Sequence, residues 1–194
     1  MPFPVSVNNF DYSLFSKING QWHVPFFDKV FLLFREAAFW IPLYFFLLLF
    51  ITINFKRRGW WWSLYLAIAV IICNFVSSNL IKENIFRYRP CQDPFLIGKV
   101  RVLANYCPSS SSFTSSHATN HFAIAMFLFL TLKEVVGKWI GLIFIWSALI
   151  CYAQVYVGVH FPTDVLAGAI GGTIIGYIAA RIFNSKIGLT QVIL

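Results

Sequence analysis

The run AAFWIPLYFFLLLFITINF, Ala37–Phe55, holds no charged residue; after Lys56-Arg57-Arg58 a second uncharged run follows, GWWWSLYLAIAVIICNFVSSNLI, Gly59–Ile81. An α-helix rises about 1.5 Å per residue, and about 20 apolar residues cross the hydrocarbon of a bilayer. Both runs reach that length. Trp139–Val159 is a third such run. Two shorter ones, His117–Leu132 and Val165–Ala180, have 16 residues each. At the helical rise these reach only about 24 Å. Both start at polar motifs, so their first turns are expected to face a polar cavity rather than lipid. The fold class predicted is all-α: a polytopic membrane helix bundle of about five transmembrane helices. One domain over residues 1–194 is expected, with interfacial helices in 1–36, a membrane core in 37–186 and a loop at 83–116.

Composition points the same way. Of the 194 residues, 59% are hydrophobic and only 11% charged, with a mean hydropathy of +0.72. Soluble domains carry about 25% charged residues, so a soluble class is excluded. The net charge of +8 does not mark a nucleic-acid partner, because the basic residues lie between apolar runs and not on one polar face. Residues 1–21 include polar Asn8, Asn9, Asp11 and Lys17 and lack the pattern of a signal peptide. Pro2 and Pro4 suggest a short irregular lead-in.

Five spans would put the termini on opposite sides. Lys56, Arg57, Arg58, Lys133, Lys138, Arg181 and Lys186 then share one side with the single acid Glu134. The basic residues of the other side are offset by Asp11, Asp28, Glu36, Glu83, Asp93 and Asp164. The positive-inside rule makes the first side cytoplasmic. Residues 1–36 and the loop Glu83–Ser116 would face outward from an inner (cytoplasmic) membrane. Phe10, Leu14, Phe15 and Ile18 recur at helical spacing, which suggests amphipathic helices lying on the outer interface. Trp60, Trp61 and Trp62 read as an interfacial aromatic anchor. Gly168, Gly172 and Gly176, continued by Ala180, let helix backbones approach closely, through internal packing or dimerisation. Cys73 and Cys151 fall within spans as apolar fillers. Cys91 and Cys107 bracket the outer loop and can form a disulfide in an oxidising compartment; with no histidine pair nearby they make a poor zinc set.

Three polar clusters interrupt the apolar chain, and ionisable residues at membrane depth are costly and functional by default. In Lys82-Glu-Asn-Ile-Phe-Arg-Tyr-Arg89-Pro90, a helix would put Lys82 and Arg89 on one face and end at Pro90. That pair is either a phosphate clamp or snorkelling interfacial charge. In Ser109–His117, a serine-rich turn precedes an apolar helix. It offers unpaired N–H groups to an anion, with His117 placed as a proton donor; an ordinary serine cap is the plainer alternative. His121, one turn on, reads as a packing or supporting residue. In Gln154-Val-Tyr-Val-Gly-Val-His160-Phe-Pro162-Thr163-Asp164, a carboxylate can hold one nitrogen of His160 and make the other a better nucleophile. A capping aspartate beside a loop histidine is the alternative there.

Together the clusters resemble the type 2 phosphatidic acid phosphatases. That family is marked by Lys-x6-Arg-Pro, then a Pro-Ser-Gly-His-like element, then Ser-Arg-x5-His-x3-Asp. This sequence has Lys82…Arg89-Pro90, then Thr114-Ser115-Ser116-His117, then Ala153-Gln154…His160…Asp164. The resemblance implies a metal-independent reaction needing no cofactor, with a membrane lipid phosphate as substrate. His160 would attack phosphorus, Asp164 would orient it, and His117 would protonate the leaving oxygen. Lys82, Arg89, Ser115 and Ser116 would hold the phosphoryl oxygens. Two departures stand out. Ser116 replaces a glycine. Gln154 replaces the phosphate-binding arginine, keeping hydrogen bonding but losing charge and fork. Arg87 or Arg101 can supply a replacement cation. Expected substrates are undecaprenyl pyrophosphate, placed first for the short chain and compact loop, then lipid A phosphates, phosphatidylglycerol phosphate and phosphatidic acid. The alternatives are a lipid phosphotransferase and, because of Gln154, a low-activity lipid-phosphate binder.

Overall fold

The computed structural model describes residues 3–189, so Pro2 of the expected lead-in lies outside the described residues. Helices form α1 (Val5–Phe15), α2 (Pro25–Phe34), α3 (Ile41–Phe75), α4 (Ser116–Val136), α5 (Leu142–Tyr156) and α6 (Pro162–Lys186); among the described residues no strand forms. Four helical segments are long and apolar enough to cross a membrane: Ala37–Ile81, Ser116–Val136, Lys138–Tyr156 and Pro162–Lys186.

The first of these is not one rod. Lys56 has φ 49 and ψ −122, outside helical values. Gly59 lies against the carbonyl of Ile51 with no room for a side chain. Ile51 and Trp62 share one hydrophobic core. The chain therefore turns back at Lys56, where the two uncharged runs of the sequence meet. Trp62 is 1% exposed and donates its Nε1–H to Thr131 Oγ1 at 2.7 Å. That corrects its expected interfacial role: only Trp60 and Trp61 are exposed.

The glycine stripe is where α6 meets α4. A Cβ on Gly168 would fall 2.6 Å from the Ser115 carbonyl oxygen; Gly172 and Gly176 lie against the carbonyls of Thr119 and Ala123 in the same manner. Both contact series advance together, so α4 and α6 run parallel with their N-termini side by side. The Ser115 N–H donates to the Asp164 carbonyl at 3.1 Å, tying those N-termini together. Internal packing thus accounts for the stripe. Both helices outrun their uncharged stretches, because Arg181 and Lys186 sit in the last turns of α6.

The N-terminal segment differs from a simple interfacial pair. Phe15 and Ile18 are buried with Tyr156, Val159 and Phe161, but Phe10 is 54% exposed. Asp11 of α1 is fully buried. α2 runs along α5: Phe31 packs on Tyr152 and Tyr156 with ring centroids 5.1 and 4.8 Å apart. Cys91 and Cys107 are bonded, with Cα atoms 6.1 Å apart. A loop of that size closes with about 3 kcal/mol of stabilisation. Cys73 and Cys151 are buried and free.

Candidate active site

His160 stands in the turn between α5 and α6. The turn is possible because Gly158 has φ +89; a Cβ there would meet the Arg101 carbonyl oxygen at 2.8 Å. The Gln154 carbonyl accepts from the N–H groups of Val159 and His160 at 3.2 and 3.3 Å. This shortens the expected run Trp139–Val159, since α5 ends at Tyr156. Pro162 then opens α6, where its missing N–H costs nothing. Asp164, two residues on, accepts from the Phe161 N–H at 2.9 Å. The same carboxylate therefore caps the helix and faces the histidine.

His160 is 3% exposed. Its Nδ1 lies 3.7 Å from Asp164 Oδ2, too far for a direct hydrogen bond. Ser112 Oγ closes the gap: it donates to Asp164 Oδ2 at 2.5 Å and lies 3.5 Å from Nδ1. On the other side of the ring, Arg89 Nη1 is 3.1 Å from Nε2. A guanidinium can only donate, so Nε2 is the acceptor and the ring proton sits on Nδ1, toward Ser112 and Asp164. Burial pushes the imidazole down to about 4, against the opposing pull of Asp164. The ring is thus neutral near pH 7, with its lone pair facing a cation.

Lys82 and Arg89 come together by a different route from the one expected. The helix ends at Ile81 in a π-helical turn, Val76–Ile81, and residues 86–89 are irregular. The two cations therefore do not share a helix face; the chain turns at Lys82 and brings Arg89 back. Arg89 is fixed by the carbonyls of Val159 and Ser110, each at 3.0 Å, and by Ser110 Oγ at 3.1 Å. Lys82 Nζ donates to Ser116 Oγ at 2.8 Å. Burial first, then the charge of Arg89, pushes the Lys82 ammonium down to about 8. Burial, reinforced by the charge of Arg35, lowers Arg89 to about 10 although Asp164 opposes this. These are cations short of an anion.

The N-terminus of α4 faces the same place. Ser115 is its cap and accepts from the Ala118 N–H at 3.5 Å. Ser116 Oγ takes Lys82 and also accepts from Ser77 Oγ at 3.0 Å. The hydroxyls of both serines thus serve the scaffold, and their direct contribution to an anion would come from backbone N–H groups. His117, in the first turn of α4, lies within electrostatic reach of His160 and Lys82. Its carbonyl is 2.8 Å from His121 Nδ1, and His121 Nε2 is 3.2 Å from Tyr44 Oη. His121 is therefore a packed, supporting residue.

The two accessory cations are committed elsewhere. Arg87 bridges Asp164 Oδ1 at 2.6 Å and Asp11 Oδ2 at 2.5 Å, sandwiched by the rings of Phe3 and Phe161. Arg101 pairs with Asp28 at 2.7 Å and with the Asn19 carbonyl at 3.1 Å. Both guanidinium groups are thus paired with carboxylates. Gln154 itself is 1% exposed, and its Nε2 is buried without a hydrogen-bond partner.

Two residues of the site carry no motif signal in the sequence. Asp11 holds Arg87 and accepts from the Thr163 N–H at 2.9 Å; it was grouped among outer-side acids. Ser112 was hidden within a serine run. An apolar cavity of about 520 Å³ lies between the two arms of α3 and α4, lined by Tyr44, Leu47, Leu66, Val70, Asn120 and His121 among others.

A family model described as the PAP2 superfamily matches residues 58–187, which include all three polar clusters. The chain belongs to the PAP2 superfamily. It is 29% identical over 177 residues to the lipid A 4'-phosphatase of Porphyromonas gingivalis, covering 88% of this chain and 72% of that one. It is 28% identical over 172 residues to the undecaprenyl-diphosphatase BcrC of Bacillus subtilis, covering 88% and 83%. The crystal structure of Aquifex aeolicus LpxE superposes with a TM-score of 0.67 at 29% identity, covering 89% of this chain and 95% of that one. The helical membrane architecture is thus shared with a solved PAP2-type relative.

Proposed function

We propose that the protein hydrolyses a lipid phosphate at one membrane face through a phosphohistidine on His160. The observation that carries this is the neutral, buried imidazole whose Nε2 faces Arg89 while Nδ1 faces Ser112 and Asp164. A phosphate entering against Lys82 and Arg89 would draw the guanidinium from Nε2 onto a phosphoryl oxygen and free the lone pair. Nε2 then bonds to phosphorus as the bond to the lipid oxygen breaks, and His117 gives that oxygen its proton. Asp164, through Ser112, stabilises the positive ring. His117 next takes a proton from water, which attacks phosphorus and releases inorganic phosphate and free His160. Fixed cations and N–H donors around the developing charge supply most of the rate enhancement in such sites.

The lipid A 4'-phosphate class leads the substrates, because that relative matches across most of both chains. Undecaprenyl diphosphate stands second. The apolar cavity beside α4 is suited to an acyl or isoprenyl chain. The site lies at the end of the bundle opposite the Lys56–Arg58 turn; the positive-inside rule, which would make the more basic Lys56–Arg58 end cytoplasmic, supports an outward-facing site at the inner membrane.

Phosphate release from lipid A, undecaprenyl diphosphate, phosphatidylglycerol phosphate and phosphatidic acid by detergent-purified protein, with chelator present, tests the reading. His160→Ala and His117→Ala must lose release while His23→Ala retains it. Turnover by His160→Ala at the wild-type rate would remove the proposed nucleophile.

A further inference from the structure

We propose that Arg35, at the C-terminal end of α2, binds an oxygen of the reacting phosphate and supplies the positive charge that Gln154 lacks. The inference rests on the phosphatase reading above and adds a residue from outside the matched family region.

Arg35 is 5% exposed, yet its side chain makes no hydrogen bond among the described residues. Its Nε is shut from solvent, and among the described residues its one ion contact is a 3.6 Å approach to Glu36, a residue whose side chain is 54% exposed. The Tyr106 ring lies beneath the guanidinium, 6.0 Å to the centroid, on the loop that the Cys91–Cys107 bond closes. A buried guanidinium that lacks hydrogen-bond partners is costly, and such groups persist where an anion completes them. The other buried arginines near the site already have their partners: Arg87 has two carboxylates, and Arg89 has four backbone or serine oxygens and His160.

Position agrees. Phe31, one turn before Arg35, packs on Tyr152 and Tyr156, the residues flanking Gln154 on α5. The Arg35 charge acts on both Arg89 and His117, the two groups on either side of the proposed phosphate. Arg35, Arg89 and Lys82 would then surround the phosphoryl oxygens, with the unpartnered Gln154 amide as a neutral donor. The planar fork that family members place at position 154 would arrive here from a different helix.

Orthovanadate, a mimic of the phosphoryl-transfer transition state, separates a contact to the reacting phosphate from a contact to a second phosphate or a headgroup. Arg35→Gln is expected to raise the vanadate inhibition constant at least tenfold and lower kcat/KM about a hundredfold. Arg35→Gln/Gln154→Arg should recover at least tenfold of that loss, and Gln154→Arg alone should gain much less. An unchanged vanadate constant in Arg35→Gln, even with a raised KM for lipid, overturns the assignment. If Arg35→Gln loses its cooperative thermal transition, Arg35→Lys carries the test, since it keeps the charge without the fork: a threefold or larger rise supports the contact, and no change overturns it. Wild type is measured first. If it neither releases phosphate nor is inhibited by vanadate, the phosphatase reading itself falls; if it does both and the Arg35 variants match it, only Arg35 is reassigned.

Discussion

Arg89 Nη1 lies 3.1 Å from Nε2 of His160, and this contact fixes the ring proton on the opposite nitrogen. The same guanidinium is tied to the backbone of the serine loop and of the histidine turn. Arg89→Lys keeps a charge but cannot reach all of these partners. It should lower kcat by about 10²–10³, the usual loss when a transition-state donor is removed. Steady-state kinetics checks this, with circular dichroism to confirm the helical content.

Lys82 sets a pH limit. Its ammonium is held down to about 8 by burial and by Arg89. The cation is present below that pH and is lost as pH rises through it. The profile of kcat/KM, which reports the free enzyme, should therefore fall above about pH 8. Lys82→Arg should move that alkaline limb upward by at least one pH unit, because a guanidinium keeps its proton. An alkaline limb that stays in place would assign it to another group.

Asp11 should matter for stability as much as for catalysis. It is fully buried and pairs with Arg87, which in turn holds Asp164. Removing one partner of a buried pair costs about 3–5 kcal/mol. Asp11→Asn is expected to lower the thermal midpoint in detergent clearly and to reduce activity through a loosened Asp164. Asp28→Asn, in a half-exposed pair with Arg101, should shift the midpoint far less.

Gly172 tests the helix contact that sets the site. Its Cα lies against the Thr119 carbonyl of α4 with no space for a side chain. Gly172→Val should separate the N-termini of α4 and α6 and cost about 1–3 kcal/mol. Gly171→Val, where nothing lies within 4 Å, should be close to neutral.

Much of this was legible in the sequence because apolar length and ionisable residues at membrane depth are strong signals. Ala37–Phe55 and Gly59–Ile81 announce helices by the absence of charge alone. The polar clusters around Lys82, His117 and His160 stand out against that background, and the structure brings them to one end of the bundle. What escaped depends on tertiary contact. Lys82 and Arg89 meet through an irregular turn, which helical periodicity cannot describe. Ser112 is one serine among four neighbours, and only the position of the Asp164 carboxylate distinguishes it. Asp11 and Arg35 lie in the N-terminal segment, where amphipathic spacing argued for an interface; the structure buries both. Trp62 looked like its two neighbours and turned inward because the chain reverses at Lys56.

The phosphohistidine can be trapped. Substrate carrying ³²P in the scissile phosphate is mixed with enzyme, quenched in alkali within milliseconds, and the protein is digested and mapped. The expected result is alkali-stable, acid-labile label on the peptide containing His160 in the wild type and none in His160→Ala. Full turnover with no label at any quench time, or label retained in His160→Ala, would contradict attack by this imidazole.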